Sequence, residues 1–230
     1  MKASIAEIIH AFPETQIAFI VADGMKIPES RPDELTRIID ETEAACCASF
    51  DRETVGQIEA IAAWRTAYKG FGVKKTSYRS SVERLLRNVL NEKPLPAINA
   101  LVDCYNRISV KHIMPVGADD LDKIEGNVCF RPSHEGDTFY ALGQDRNDPP
   151  KPGEIVYADD AKLLCRRWNW YQDARSPVSE NTTRAVLTIQ SHGVGDLEAA
   201  TAELAADIPS FCGGKVSWKI ANSQTPVVEV

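Results

Sequence analysis

The segment CRRWNWYQ, residues 165–172, concentrates side chains able to do chemistry: two arginines and two tryptophans within five residues. An arginine fork meets a carboxylate or phosphate through paired N–H groups. A tryptophan face stacks on a ring or a base. Arg166, Arg167, Trp168 and Trp170 are therefore candidate ligand contacts. The segment also reads as an edge strand with Trp168 in the core and the arginines outside. Strand alternation sets Arg166 and Trp168 on one face and Arg167 and Asn169 on the other. Glu154, just ahead of the apolar run IVYA, is a candidate general base or amine-binding carboxylate, or the exposed start of a strand. His134, close to Arg131 in FRPSHEG, is the histidine best suited to proton transfer, on a loop that reads as exposed. His10, His112 and His192 have no constellation around them. The sequence contains no phosphate-binding glycine loop, serine nucleophile elbow or metal triad, so no cofactor and no metal are expected.

A second chemical signal is polar spacing inside an apolar helix. In LVDCYNRISVKHIMPVGADD, residues 101–120, Asp103, Asn106 and Ser109 recur at three-residue steps. Winding residues 97–112 at helical pitch puts Val102, Val110 and Ile113 in one sector with Asn106 at its middle. Leu101, Tyr105 and Ile108 form another apolar sector, and Arg107 and Lys111 fall together toward solvent. Buried polar groups need partners, so Asp103, Asn106 and Ser109 read as a seam that pins the following loop. The helix is expected to stop at Pro115-Val116-Gly117, where Gly117 supplies either an unusual backbone conformation or room for a ligand.

Charge is unevenly spread. The chain of 230 residues has a net charge of −7, yet residues 65–93 hold eight Lys and Arg against Glu83 and Glu92. That stretch is +6 and the remainder −13. The band reads either as a solvated helix face or as a phosphate-binding footprint centred on Lys74, Lys75 and Arg79. No apolar run approaches the roughly 18 residues a membrane span requires. The N-terminal MKASIAEIIHAFPETQ lacks the uninterrupted apolar core of a secretory signal. The six cysteines show no metal spacing and most have apolar neighbours, as free thiols packed in a reducing compartment would. A cytoplasmic location is expected, with no membrane or DNA partner.

The elements that must position these residues are helical first and stranded later. QIAFIVADG (16–24) reads as a buried strand, residues 31–50 and 52–72 as helices, and SSVERLLRNVLN (80–91) as a helix opened by a Ser80/Glu83 capping box. NVCFRP, DTFYALG, GEIVYAD, KLLCRRW, RAVLTIQS and KVSWKIA read as strands, and GDLEAATAELAADIPSF as one amphipathic helix. Helices and strands without regular alternation predict an α+β fold with a mixed or antiparallel sheet.

The spaced pattern Asn99, Val102, Asp103, Asn106, Ser109, then Pro115, Gly117, Asp120 and Ile124 resembles the B3/B4 domain of the bacterial phenylalanyl-tRNA synthetase β chain. It is similar above all to free-standing relatives of that domain. Gly153-Glu154-Ile155-Val156-Tyr157, CRRWNWYQ and ENTTRAVL continue the likeness over roughly residues 78 to 220. A B3/B4-like domain over 78–230 and a mostly helical N-terminal part over 1–77, packed on it, are expected. The synthetase domain hydrolyses tyrosine wrongly esterified to the phenylalanine tRNA. The resemblance thus implies an aminoacyl-sized pocket, with Asn106, Ser109 and Gly117 joining Arg166, Arg167, Trp168 and Trp170 as substrate contacts and Glu154 as the catalytic candidate. The RNA 3′ end becomes a suspected partner of Lys74, Lys75 and Arg79. Two departures bear on specificity. The synthetases read P-x-H-x-F-D where this chain has PVGADD, so Gly117 occupies the histidine's place. Their V-L-L-E strand, whose glutamate reads the tyrosine hydroxyl, is AVLTIQS here, with no acid at Thr188, Ile189 or Gln190. The expected activity is hydrolysis of a misacylated aminoacyl-tRNA in trans, on an amino acid other than tyrosine. The alternative is a non-catalytic module that binds a free amino acid, a metabolite or RNA.

Overall fold

The apolar run at residues 16–24 becomes a nine-residue strand with most of its length buried on both faces, which is why its sequence does not alternate. The computed structural model describes residues 1–28, 30–75 and 77–230. In chain order the elements are β1 (Lys2–Ser4), β2 (Thr15–Asp23), α1 (Asp33–Ser49), α2 (Glu59–Gly70), α3 (Ser81–Val89), α4 (Ala100–His112), β3 (Val116–Asp120), β4 (Val128–Pro132), β5 (Ile155–Asp159), β6 (Leu163–Arg166), β7 (Tyr171–Gln172), β8 (Arg184–His192), α5 (Leu197–Cys212), β9 (Lys215–Ala221) and β10 (Val227–Glu229). The fold is α+β, with one sheet ordered β3-β8-β2-β9 and a second ordered β10-β1-β4-β5-β6-β7. All strand pairs are antiparallel except β1 with β4.

Three layers follow from strand alternation. Ala18, Ile20 and Ala22 of β2, with Ala185, Leu187 and Ile189 of β8, face α1, α3, α4 and α5 and form the larger core. Ile17 and Phe19 point the other way, against Val128, Phe130, Ile155 and Leu164 of the six-stranded sheet, with Trp64 of α2 closing that core. The four-stranded sheet is thus sandwiched between helices and a second sheet. Both sheets draw on residues 1–77: β2 lies between β8 and β9, and β1 lies between β10 and β4.

Local chemistry explains the element ends. Ser80 caps α3 by accepting from the Glu83 N–H, and Asn99 caps α4 by accepting from Val102 N–H at 3.0 Å. The Glu83 carboxylate does not reach back to complete the capping box; it is held by arginines instead. The expected helix over 52–72 is broken into a short 3-10 turn, Val55–Gln57, and α2. The expected strand at 137–143 forms only isolated bridges at Tyr140 and Ala141. PVGADD, read as a stop and turn, instead supplies the edge strand β3, whose backbone pairs with β8 from Val116 to Asp120. No helix among the described residues is long and apolar enough to cross a membrane.

Candidate functional site

The expected polar seam on α4 divides into three tasks. Ser109, fully buried, donates its hydroxyl to the Met114 carbonyl at 2.7 Å and so pins the chain entering β3. Asp103 faces the other end: it accepts from Arg31 Nε at 2.7 Å and from Ile98 N–H at 3.0 Å. Asn106 lines a cavity. Arg107, expected in solvent, is buried, because α5 covers that side of α4 and offers Glu203 and Asp207 as counter-charges.

That cavity, of about 290 Å³, is walled by Gly117 and Asp119 of β3, Thr188 and Gln190 of β8, and Tyr157 of β5. Val102 and Tyr105 of α4 and Ser81, Arg84 and Leu85 of α3 close its sides. Its mouth is apolar. Ile98, Leu142 and Tyr171 all border it, three of the four most exposed large hydrophobic residues among those described. The Arg84 guanidinium lies 4.1 Å above the Tyr171 ring. Gly117 holds no left-handed conformation, and a Cβ placed on it would meet nothing among the described residues within 4 Å. Of the two roles expected for this glycine, it supplies room.

The cavity floor is polar and buried. A hydrogen-bond relay runs from Tyr68 OH to Asn169 Oδ1 (2.8 Å), from Asn169 Nδ2 to Gln190 Oε1 (3.0 Å) and from Gln190 Nε2 to Thr188 Oγ1 (3.2 Å). Among the described residues the Thr188 hydroxyl accepts this bond and donates none, so its hydrogen is available to a ligand. Among the described residues nothing reaches the Tyr157 hydroxyl, Ser81 Oγ or Arg84 Nε. Asp119 Oδ1 accepts from Ser176 Oγ at 2.6 Å and Gln172 Nε2 at 2.8 Å. Burial pushes the Asp119 carboxyl up to about 7, against the opposing pull of those two donors.

This shift carries a stability prediction. The folded carboxyl titrates above its unfolded counterpart, so the folded state binds the extra proton and stability falls as pH rises through that window. Asp119→Asn is expected to flatten this fall, which approaches about 1.4 kcal/mol per pH unit between roughly pH 4 and 7. Urea unfolding of both proteins at several pH values checks it. Equal slopes would show that Asp119 does not titrate in that range.

The CRRWNWYQ residues are only partly in this site. Regular alternation ends at Arg166, because Arg167 and Trp168 both take left-handed φ values of 48° and 64°. Trp168 is driven into the core between the sheets, 4.9 Å from Phe12 and 5.3 Å from Trp64 between ring centroids. Arg166 is 2% exposed and donates from Nε to Glu154 Oε1 at 2.8 Å. Arg167 lies over the Tyr78 and Trp170 rings at 3.9 and 4.1 Å. Trp170 and Asn169 line the cavity; Arg166, Arg167 and Trp168 do not. Glu154, offered above as a base, also lies off the cavity wall. Besides Arg166, its oxygens accept from Arg167 N–H at 3.1 Å and Lys151 N–H at 3.3 Å. Its surroundings make it the counter-ion of two buried arginines. His134 is on an exposed loop that is not part of the cavity.

The basic band is partly internal. Arg65 and Arg87 bond the buried Glu83 carboxylate, and Arg79 Nε lies 3.2 Å from it without a hydrogen bond. Burial raises the Glu83 carboxyl, and Arg65 and Arg87 more than offset this, leaving it below its usual range. Lys74 and Lys75 are exposed. They share a small surface pocket with Arg79, just before α3, and with Glu83 of α3, while Ser81 and Arg84 of that helix line the cavity.

A larger groove of about 470 Å³ lies open between α1 and α4. Its Arg107 is committed to α5, and burial pushes its Cys46 thiol up to about 11, away from the nucleophilic thiolate. Among the described residues no group of three or more His, Cys, Asp or Glu is placed to hold a metal ion.

A family model described as the B3/4 domain matches residues 63–194, more than half of the chain. The chain belongs to the B3/4 domain family. All the cavity walls named above fall within the matched span. This B3/4 chain is 33% identical over 99 residues to the phenylalanine–tRNA ligase beta subunit of Fusobacterium nucleatum subsp. nucleatum. It is 32% identical over 98 residues to that of Chromobacterium violaceum. Each alignment covers 43% of the B3/4 chain but only 12% of the ligase subunit. A solved N-terminal fragment of the phenylalanyl-tRNA synthetase beta subunit from Pyrococcus horikoshii aligns with 93% of the chain and 49% of its own length. Its TM-score is 0.48 and its identity 12%.

Sequence reasoning found Asn106, Gly117 and Trp170 on the cavity wall but not Arg84, Asp119 or Tyr157. One signal was available. In AVLTIQ the residues Val186, Thr188 and Gln190 alternate with Ala185, Leu187 and Ile189, a half-polar pattern that ordinarily marks a solvated face. Here the second sheet covers that face, so its polar side chains form the floor of a site.

Proposed function

We propose that this B3/4 chain hydrolyses the ester bond of a misacylated aminoacyl-tRNA, acting in trans. The observation that carries the reading is the cavity itself: a buried polar floor of Thr188, Asn106 and Asp119 behind a mouth of exposed Ile98, Leu142 and Tyr171. The floor suits the amino and carbonyl groups of an aminoacyl ester. The mouth, with Arg84 over Tyr171, suits the terminal base, which stacks on flat side chains. Lys74 and Lys75, on the far side of α3, would meet acceptor-stem phosphates, with Arg79 contributing the charge that Glu83 leaves uncompensated. The kinship with the ligase beta subunits supports an aminoacyl-tRNA as substrate; tyrosine is disfavoured by the absence of an acid on β8.

Incubating the protein with a panel of correctly and wrongly charged tRNAs and following the ester tests this. Loss from one mischarged tRNA is expected, and a panel left intact by excess protein overturns the reading. Lys74→Glu/Lys75→Glu is expected to weaken RNA binding and to lower the log–log salt slope by about two, as loss of two phosphate contacts does. An unchanged slope would remove these lysines from the interface.

A second reading rests on Arg65, Arg79 and Arg87, which converge on Glu83 and leave fewer cations for RNA. In that reading the cavity holds a free amino acid or related metabolite. It predicts thermal stabilisation by such a ligand, insensitive to the lysine reversals. A flat thermal-shift screen across amino acids would count against it.

A further inference from the structure

We infer that Asp119 is the general base of the cavity, taking a proton from the water that attacks the acyl carbonyl. The inference rests on the hydrolase reading above and assigns its proton transfer to one residue.

Register places the residue. Gly117 of β3 lies directly opposite Thr188 of β8, and Asp119 is paired with Val186, two residues along. Directly paired residues share a face, so Gly117, Asp119 and Thr188 all point toward the six-stranded sheet. With no side chain on Gly117, a gap lies between the Thr188 hydroxyl and the Asp119 carboxylate. One oxygen of that carboxylate is tied down: Oδ1 takes both Ser176 and Gln172, fixing the group's orientation. No donor among the described residues reaches Oδ2, and this oxygen is not sealed from solvent, although Asp119 as a whole is only 5% exposed. A buried carboxylate that is oriented at one oxygen and unpartnered at the other, on the wall of a cavity, is built to accept a proton from an occupant.

The groups packed around it leave it usable near neutrality. Asp159 of β5 and Asp173 after β7 are of like charge and disfavour its ionisation, though Lys162 and Arg175 respectively hold them. Tyr105 of α4, Tyr157 of β5 and Cys165 of β6 are neutral neighbours, each pushed up in turn by burial and by the Asp119 charge. Arg84 of α3 is the cation on the cavity wall. Burial is the largest influence on Asp119 and carries it to about 7, where a carboxylate is both substantially ionised and basic enough to take a proton.

The chemistry balances with water alone. The water oxygen forms a bond to the acyl carbon as Asp119 takes one of its protons, and the carbonyl electron pair moves onto oxygen. The tetrahedral intermediate then re-forms the carbonyl and breaks the acyl–O bond to the ribose. The protonated Asp119 gives its proton to that leaving oxygen, which regenerates the carboxylate. A free amino acid and a tRNA with an intact terminal hydroxyl leave. The hydroxyls of Thr188 and Tyr157, both with a hydrogen to donate, are the kind of donors a developing oxyanion needs.

The test uses the mischarged tRNA that the wild-type protein hydrolyses, with rates corrected for spontaneous loss. The wild-type rate is expected to rise about tenfold per pH unit from about pH 5 and to level near 7. Asp119→Asn, which keeps an oxygen for Ser176 and Gln172, is expected to lose about 100-fold or more and to show no such ionisation. Asp119→Ala is expected to regain activity with added formate, which separates a missing base from a misfolded site. A wild-type profile without this ionisation, or an Asp119→Asn protein with the wild-type rate and profile, overturns the assignment while leaving the hydrolase reading in place. No hydrolysis by the wild type anywhere on the panel overturns both.

Discussion

Glu154→Ala is expected to lower the unfolding free energy by about 3–5 kcal/mol, the cost of removing one member of a buried ion pair. Glu154 is 4% exposed, and Arg166 and Arg167, at 2% and 4%, depend on it. Arg166 donates to both of its oxygens, at 2.8 and 3.4 Å, and the Arg167 Nε lies 3.7 Å away. Without the carboxylate, two guanidiniums remain out of water. Among the described residues Arg166 then retains only Asp148, whose side chain is 60% exposed and so a weak counter-ion. The same carboxylate holds the Arg167 N–H at the start of two consecutive left-handed residues, so the turn that aims Asn169 and Trp170 at the cavity is destabilised with it. A partner change separates this from a catalytic role. Glu154→Met combined with Arg166→Met removes the closest charge pair and is expected to recover the part of the loss that comes from Arg166, while Arg167 stays unpaired. Urea midpoints of the single and double variants, with hydrolysis assayed under conditions where each is folded, give the answer. A Glu154→Ala protein of wild-type stability but no activity would return Glu154 to the chemistry.

That turn also shows where the sequence stops being legible. Fold class, the buried β2, the α3 cap and the extents of α4, β8 and α5 could be read because each depends on local periodicity and end chemistry. The course of CRRWNW could not. Arginine and tryptophan rarely adopt positive φ, and nothing local marks two in succession; a buried glutamate twelve residues away compensates the Arg166 charge. Edge strand β3 was missed for a related reason. Val-Gly-Ala-Asp-Asp has little strand preference of its own and is held by its backbone pairing with β8. Asp119 consequently looked like the tail of a turn. The cavity combines α3, α4, β3, β5, β8 and the turn before β7, whose proximity only the layered packing creates. Asn106 and Gly117 were legible because a polar residue inside an apolar sector and a glycine after a helix each stand out alone.

Gly117→Leu is expected to abolish hydrolysis, by about 100-fold or more, while leaving the protein folded; misplacement of reactants by about 1 Å already costs this much. The usual reason to keep a glycine does not apply, since Gly117 has no left-handed φ and an added Cβ would meet nothing among the described residues within 4 Å. The space in front of it belongs to the cavity of about 290 Å³. It lies opposite the Thr188 hydroxyl and two residues from Asp119, where the attacked carbonyl must sit if Asp119 is the base. A leucine there fills working volume without entering packed core, so stability should change by no more than about 1 kcal/mol. Alanine should be tolerated and valine should fall between, a graded loss that tracks occupied volume and not strain. Rates and thermal midpoints for the three variants check this together. A leucine variant that unfolds would show the gap to be smaller than the geometry indicates. One that hydrolyses at the wild-type rate would move the reacting ester out of this cavity, and the case for Asp119 would go with it.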